Sequence, residues 1–222
     1  MAAVRGGPPE LVWYVSYGSN LHRARFRSYL EGGRMPGGLR ADRGCRDPSP
    51  PRADAALHLP FPLYFSGESR VWGGGVAFLD HDPHADTRRT YARGYVITGE
   101  QFEDLVAQES KRDHAAVDWA ALRRDGRVTV GPGRYDLAVV VGDRDGLAMI
   151  TFTHPAPQAA NPLAAPVVGY LHTLAGGLRD AHGLDDAAIA DYLVDHPGAR
   201  GAWTAAALLD ALGEWEAGLT PA

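Results

Sequence analysis

The stretch from Leu11 to Leu21, LVWYVSYGSNL, has the pattern of a buried strand that ends in a tight turn. Its first seven residues are rich in β-branched and aromatic side chains, which favour strands. The run stops at Gly18, where we predict a turn. Ser19 or Asn20 can cap a following helix, which we predict to begin at Leu21. The segment therefore predicts a strand, a turn and a helix in direct succession.

A turn of this kind presents backbone N–H groups that have no partner within the helix. These donors and the helix macrodipole attract anions, and Gly18 lets the backbone approach a ligand closely. An ordinary capped turn has the same features, so the pattern alone does not define a binding site. A nucleophile elbow is excluded, because Tyr17 and Leu21 occupy the positions where its two glycines stand.

Strand patterns dominate the chain up to about residue 152, and helical patterns follow. The further predicted strands cover residues 63–65, 71–79, 91–98, 127–130, 135–141 and 147–152. Later helices are predicted with Pro166 in a first helical position, with Asp185 as a cap, and over 203–217. This order indicates an α+β fold in which a curved, mostly antiparallel sheet or a small β-barrel is flanked by helices.

The amino-acid composition is typical of a folded globular protein. The 222 residues are 45% apolar and 22% charged with a net charge of −5, which argues against disorder and against generic nucleic-acid binding. The single cysteine, Cys45, excludes an internal disulfide and a Cys₄ metal site. No apolar run reaches the ~20 residues of a membrane span, and the polar N-terminus lacks a signal-peptide pattern. We expect a cytoplasmic protein without membrane contact.

No linker divides the sequence, so we expect a single domain over residues 1–222. Residues 31–57 are rich in Gly, Pro and Arg, and predict a long mobile loop. Residues 22–52 contain eight arginines against three acidic residues, a local charge of +5. Such a run is usually a solvated loop, and this one has few interleaved aromatic residues. An anion- or nucleic-acid-binding module that uses residues 22–52 is therefore the weaker alternative.

A carboxylate continues an apolar stripe on the helix predicted after residue 98. Thr98 and Gln101 have the spacing of a capping box. One face of the helix then carries four residues at i, i+3, i+4 and i+7: Phe102, Leu105, Val106 and Glu109. Desolvation raises the pKa of a carboxyl toward neutrality, the range in which a general acid/base works. The alternative, which the pattern favours equally, is that Glu109 turns outward to pair with Lys111 or Arg112.

A metal site is a minor alternative at residues 80–84, Asp-His-Asp-Pro-His. The residue types are those of metal ligands, but a polar turn with proline is commoner and no His-x₃-His helix supports the site. We therefore expect neither a metal nor another cofactor.

The loop Tyr17-Gly18-Ser19-Asn20-Leu21 after a buried strand resembles the signature loop of the γ-glutamylcyclotransferase family, which includes the AIG2-like proteins. Other motifs follow in family order between residues 13 and 193. They are Trp72-Gly73-Gly74-Gly75-Val76-Ala77, Arg93-Gly94-Tyr95-Val96-Ile97, Gln108-Glu109-Ser110, Pro166 to Tyr170, Gly177 and Gly183-Leu184. Two features depart from the family: Ser110 replaces its usual glycine, and residues 31–57 form a longer segment.

The resemblance implies a γ-glutamylcyclotransferase-like fold and an intramolecular aminolysis. The α-amine of a small-molecule γ-glutamyl substrate attacks its own γ-carbonyl and yields 5-oxoproline and a free amine. Glu109 is implied as the general acid/base, without a metal or cofactor. The implied substrate-binding residues are Tyr17, Gly18, Ser19, Asn20, Leu21 and Tyr170. The remaining alternative is a non-catalytic member of the same fold that binds a small ligand or a protein. The oligomeric state is not predicted.

Overall fold

The computed structural model describes residues 7–34, 41–81 and 89–217. The chain divides into two compact units. Unit 1 takes its residues from 1–16, 24–57 and 93–155, and unit 2 takes its residues from 17–23, 58–92 and 156–222. Because these segments alternate along the chain, neither unit is a continuous stretch of sequence. The single domain over residues 1–222 stays a prediction.

The described residues form ten strands and six α-helices. The strands are β1 (Val12–Ser16), β2 (Gly33–Arg34), β3 (Ala41–Asp42), β4 (Ala53–Leu59), β5 (Leu63–Ser66), β6 (Val76–Leu79), β7 (Thr90–Ile97), β8 (Arg127–Thr129), β9 (Leu137–Arg144) and β10 (Leu147–Thr153). The helices are α1 (Arg23–Glu31), α2 (Gly99–Glu109), α3 (Trp119–Asp125), α4 (Val168–His182), α5 (Asp186–Val194) and α6 (Ala205–Glu216). Short 3-10 turns cover Ser19–Leu21 and Gln158–Ala160.

A six-stranded sheet of order β4-β7-β1-β10-β9-β8 lies mostly in unit 1. Strand β1 pairs in parallel with β10, whereas the β1–β7, β9–β10 and β8–β9 pairs are antiparallel. The predicted α+β class with a mostly antiparallel sheet is confirmed. The small β-barrel is not the form adopted, because the sheet is open and has β4 and β8 at its edges.

Aromatic side chains join α1 and α2 to the sheet of unit 1. The rings of Phe26 on α1 and Tyr95 on β7 are stacked with 4.0 Å between centroids, and Tyr14 on β1 lies 5.4 Å from Phe26. Phe102 on α2 contacts Phe152 on β10 at 5.9 Å. All five side chains are buried, and aromatic pairs at these separations add to the stabilisation from area burial. This cluster fixes α1, which carries Arg25 and Tyr29, and α2, which carries Glu109.

Unit 2 consists of the β5–β6 pair, helices α4 to α6 and the 3-10 turn at Ser19–Leu21. All residues of β5 and β6 are buried. Asp185 caps α5 as predicted, by accepting from the backbone N–H of Ala188. Helix α6 covers most of residues 203–217. Pro166 is not in the first turn, because α4 begins at Val168 after Val167 as its cap residue.

Three other predictions need correction. The α-helix predicted from Leu21 begins at Arg23, because a 3-10 turn and the extended residue His22 intervene. The strand predicted over 71–79 begins only at Val76, since Gly73 has a φ of +84° and lies in a turn with Ser69. The stretch 31–57 is not a loop throughout: it contains β2, β3 and most of β4, whereas its mobility stays a prediction.

Helix α3 was not predicted from the sequence pattern. Asp118 caps this helix through the backbone N–H of Ala121, and Gly126 ends it in the left-handed conformation at a φ of +70°.

In the part of the chain that the structure describes, no helix is long and apolar enough to span a membrane.

His172 on α4 gives unit 2 a testable pH dependence. Its imidazole lies 3.7 Å from the carboxylate of Glu216 on α6. Burial lowers the pKa of His172, against the opposing effect of Glu216. Because the folded state disfavours the protonated ring, the free energy of unfolding should fall as pH drops below about 6.5. Urea denaturation between pH 7.5 and 5 should show a steeper loss for the wild type than for His172→Gln, and parallel curves would contradict this.

Candidate functional site

The acidic site of unit 1 begins at the end of α2. The predicted capping box is present in full. The Thr98 hydroxyl oxygen accepts from the backbone N–H of Gln101, and the Gln101 side-chain oxygen accepts from the backbone N–H of Thr98. The apolar face is confirmed, with Phe102, Leu105 and Val106 fully buried. Glu109 is the last residue of this helix and is half-buried. The helix therefore ends with a carboxylate in line with its buried face.

Tyr29 on α1 holds this carboxylate. Its hydroxyl donates to Glu109 Oε1 at 2.7 Å. Arg25, one helical turn earlier, donates through Nη2 to the Tyr29 hydroxyl at 3.1 Å. Arg25 also pairs with Asp42 on β3, and their side chains are 14% and 9% exposed. Burial, followed by the negative charge of Glu109, raises the pKa of Tyr29 well above its usual range.

The C-terminal end of α2 does not require a glycine at position 110. Ser110 has φ −83° and ψ 2°, a conformation open to any residue. The left-handed conformation falls on Lys111 instead, at a φ of +53°. Arg112 donates through Nη2 to the carbonyl of Val130 and through its backbone N–H to the carbonyl of Ala107. Serine at position 110 is therefore compatible with an α2 that is intact up to its last residue, Glu109.

The loop Tyr17–Leu21 lies in unit 2, where residues 19–21 form a 3-10 turn. The backbone N–H of Leu21 donates to the carbonyl of Gly18 at 2.9 Å, and that of His22 donates to Ser19 at 3.1 Å. Tyr17, Asn20 and Leu21 are buried. Helix α1 begins at Arg23, so neither Ser19 nor Asn20 stands directly before it, where the predicted cap would be. The backbone N–H of Leu21 is therefore used within the turn, which does not favour the expected role of this N–H as a donor to a ligand.

Tyr170 on α4 lies against this loop within unit 2. Its hydroxyl accepts from the backbone N–H of Ala77 on β6 at 3.1 Å. A Cβ on Gly18 would stand 3.3 Å from the same hydroxyl. The ring of Trp72 lies 5.4 Å from that of Tyr170. Two of the predicted binding residues, Gly18 and Tyr170, are therefore neighbours, and a glycine at 18 keeps the hydroxyl close to the loop backbone.

Gly177 allows α4 to approach the loop still more closely. A Cβ at Gly177 would stand 2.5 Å from Leu21 Cβ and 2.6 Å from the backbone nitrogen of His22. Side-chain rotation cannot relieve contacts with backbone atoms. The loop conformation therefore depends on the absence of a side chain at position 177.

The structure groups the predicted site residues by unit. Unit 2 brings Gly18, Leu21 and Tyr170 together with β6. In unit 1, Glu109 is contacted by residues that were not predicted from the sequence. The missed residues are Arg25 and Tyr29. Their spacing could have indicated that they act together, because residues at i and i+4 share one face of a helix.

The arginine-rich stretch is largely neutralised by acidic partners. Six of its eight arginines have an ion pair within the described part of the chain: Arg23–Asp180, Arg25–Asp42, Arg27–Glu31, Arg43–Asp113, Arg46–Asp104 and Arg52–Glu10. Arg46 has two contacts with one partner, because its Nε donates to both oxygens of Asp104 at 2.9 and 3.1 Å. Paired arginines have less charge available for phosphates, so this pattern does not favour the nucleic-acid alternative.

The possible metal motif at 80–84 lies mainly outside the described residues, which include Asp80 and His81 but not residues 82–84. Asp80 is buried and accepts from the backbone N–H of Gln158 at 3.3 Å. Among residues 7–34, 41–81 and 89–217, no group of three or more His, Cys, Asp or Glu side chains is arranged to hold a metal ion.

Cys45 is predicted to be an unreactive thiol. Its Sγ lies 3.4 Å from the carbonyl of Tyr29, to which it donates. Burial, followed by the charge of Asp104, raises the pKa of Cys45 to about 12. Since the thiolate is the nucleophile, alkylation by iodoacetamide at pH 8 should be at least about 100-fold slower in the native protein than in urea. The chain has one cysteine, so mass spectrometry reads the site directly; equal rates would show that the thiol is accessible and ionised.

The fold and the two groups of residues define an α+β protein with a carboxylate site in unit 1 and a glycine-containing loop in unit 2. No family model matches the chain. Histone deacetylase 5 of Arabidopsis thaliana is 34% identical over 185 residues, which cover 75% of this chain. The chain spans only 28% of the length of that plant protein.

Two solved structures are similar to the chain at low sequence identity. One is described as a Gamma-glutamyl cyclotransferase; it is 17% identical, with a TM-score of 0.49, and the likeness covers 92% of this chain and 99% of the other. The second is a crystal structure of an uncharacterized protein from Homo sapiens, 18% identical with a TM-score of 0.45, covering 78% of this chain and 81% of the other.

Proposed function

We propose that the chain is a γ-glutamylcyclotransferase-type enzyme that converts a γ-glutamyl amide into 5-oxoproline and a free amine. The observation that carries the proposal is the carboxylate of Glu109, half-buried at the end of a buried helix face and held by the hydroxyl of Tyr29. A general acid/base of this reaction needs such a carboxylate, with a defined orientation and limited access to water. The order of the sequence motifs supports the same activity.

Glu109 is assigned the proton transfers. The α-ammonium of a γ-glutamyl group has a pKa of about 8 and is mostly protonated at neutral pH. Glu109 takes one proton, which frees the amine to attack the γ-carbonyl of the same molecule. A C–N bond to the α-nitrogen forms, the α-nitrogen gives up a second proton, and the original amide C–N bond breaks. Both protons end on the departing amine, which leaves as its ammonium, and Glu109 returns to the carboxylate form. Nucleophile and electrophile are already tethered, so the enzyme supplies mainly orientation and proton transfer.

The loop Tyr17–Leu21 and Tyr170 are assigned to substrate recognition. Backbone N–H groups of Gly18, Ser19 and Asn20 are suited to a carboxylate or a developing oxyanion. The amide of Leu21 donates to Gly18, so we assign Leu21 to shaping the turn rather than to direct contact. Tyr170 is assigned to the same recognition because its hydroxyl, which accepts from Ala77, lies beside Gly18.

A screen of γ-glutamyl amides tests the function directly. The purified chain is incubated with γ-glutamyl amino acids, γ-glutamylamines and larger γ-glutamyl metabolites, and released 5-oxoproline is quantified by mass spectrometry. We expect turnover of at least one class together with a stoichiometric free amine. Hydrolysis to glutamate would indicate another reaction. Saturable binding without 5-oxoproline from any substrate would favour a non-catalytic ligand-binding role.

A further inference from the structure

A connected polar network lies behind Glu109 in unit 1. The Tyr29 hydroxyl donates to Glu109 Oε1 at 2.7 Å, and the side chain of Tyr29 is buried. Arg25 reaches this hydroxyl through Nη2 at 3.1 Å, and its guanidinium carbon lies 4.5 Å from the centroid of the Tyr29 ring. The network therefore links a residue at the end of α2 to two residues on one face of α1.

The direction of each hydrogen bond follows from the donors and acceptors available. A guanidinium has only donors, so the oxygen of Tyr29 accepts from Arg25. A hydroxyl has a single proton, and an ionised carboxylate can only accept. The proton of Tyr29 is therefore directed at Glu109, and Arg25 polarises the hydroxyl from behind. Because the pKa of Tyr29 is raised well above its usual range by burial, the hydroxyl keeps this proton at neutral pH.

Arg25 is itself fixed on its other side. Its Nη1 pairs with Asp42 Oδ2 on β3, and the Ser28 hydroxyl donates to the same oxygen at 2.6 Å. Besides Glu109, the charged groups whose fields reach Tyr29 are Arg25 and Asp42. The hydroxyl thus stands between a paired cation and the carboxylate, and a hydrogen bond to a charged acceptor is stronger than one between neutral groups.

We propose that Tyr29, oriented by Arg25, is a positioning residue that fixes the ionised carboxylate of Glu109 for proton transfer. The inference rests on the proposed function, in which Glu109 is the acid/base. Tyr29 itself does not touch the reacting atoms. It restricts the carboxylate to one orientation and stabilises its ionised form with a charge-assisted hydrogen bond.

Tyr29→Phe tests this inference, with Tyr64→Phe as the matched control. Tyr64 is also buried, and its hydroxyl accepts from Asn161 Nδ2 at 3.1 Å, but it belongs to unit 2 and has no assigned role. We expect Tyr29→Phe to lower kcat about tenfold with KM changed less than about twofold, whereas Tyr64→Phe keeps both values. Loss of a donor to an ionised carboxyl raises its pKa. The acid limb of the kcat profile should therefore move to higher pH only in Tyr29→Phe.

Two further measurements separate the inference from the proposed function. If Tyr29 acts through Glu109, the double variant Tyr29→Phe/Glu109→Gln should be no slower than Glu109→Gln. If the wild type is active but Tyr29→Phe matches Tyr64→Phe in rate and pH profile, the positioning role is wrong and the function stands. If the wild type makes no 5-oxoproline, the function fails, and ¹³C NMR titration of the glutamate carboxyls tests the contact alone. A Glu109 midpoint that is higher in Tyr29→Phe supports the hydrogen bond, and an unchanged midpoint overturns it.

Discussion

Glu109→Gln is expected to lose 5-oxoproline formation by at least about 100-fold in kcat, since general acid–base catalysis typically contributes 10²–10⁴-fold. The amide of glutamine has nearly the same shape and can still accept from the Tyr29 hydroxyl at Oε1, so the end of α2 should remain in place. What the variant lacks is a group that exchanges a proton near neutral pH. The expected result is therefore a folded protein whose remaining turnover is at most about a hundredth of the wild-type rate.

Glu100→Gln is the matched control for this variant. Glu100 lies in the first turn of the same helix and is exposed, so the identical substitution there should leave kcat and KM unchanged. Circular dichroism and thermal melting should place both variants within a few degrees of the wild type. Turnover by Glu109→Gln at more than about a tenth of the wild-type rate would remove Glu109 from the mechanism.

Gly177→Ala is expected to lower the free energy of unfolding by about 1–3 kcal/mol, the usual cost of an added methyl in a well-packed site. An alanine in a helix interior would otherwise be favourable by about 1 kcal/mol. At Gly177 the new Cβ would stand 2.5–2.6 Å from Leu21 Cβ, the Leu21 carbonyl carbon and the His22 nitrogen. Relief requires α4 and the turn to move apart, which displaces the loop that is proposed to bind substrate.

Gly213→Ala in α6 measures the propensity effect alone. Nothing lies within 4 Å of a Cβ built at Gly213, so this variant should be as stable as the wild type or up to about 1 kcal/mol more stable. Urea denaturation of both variants gives the difference. If the loop binds substrate, KM should rise in Gly177→Ala and stay constant in Gly213→Ala. Equal stability of the two variants would show that α4 does not depend on close contact with the turn.

Local patterns in the sequence predicted those elements whose determinants lie within a few residues. Helix α2 is the clearest case, because its capping box, its apolar face and its terminal carboxylate all follow from spacing along one helix. Strand β1 and its turn were predicted for the same reason. The boundary between the turn and α1 was missed, because Ser19–Leu21 adopts 3-10 hydrogen bonds that local propensity does not distinguish from the first turn of a helix.

The partners of Glu109 were beyond sequence reasoning because they depend on long-range contact. Tyr29 and Glu109 are 80 residues apart along the chain, and Arg25 is oriented by Asp42 from a two-residue strand. Strand β4 was missed in a similar way, since its sequence is rich in alanine and its pairing partner β7 lies some 30 residues later. Composition predicted a loop there, and tertiary pairing overrode it.

The open sheet has a consequence for contacts between copies of the chain. An exposed strand edge offers unpaired N–H and C=O groups to a strand of another molecule, and this is a route to aggregation. Here one edge strand, β8, is only three residues long and begins with Arg127. At the other edge, β4 is preceded by Pro51 and followed by Pro60, neither of which has an N–H to donate. The β8 edge therefore offers an incoming strand little backbone to pair with, and the prolines keep pairing at the β4 edge from extending beyond its seven residues.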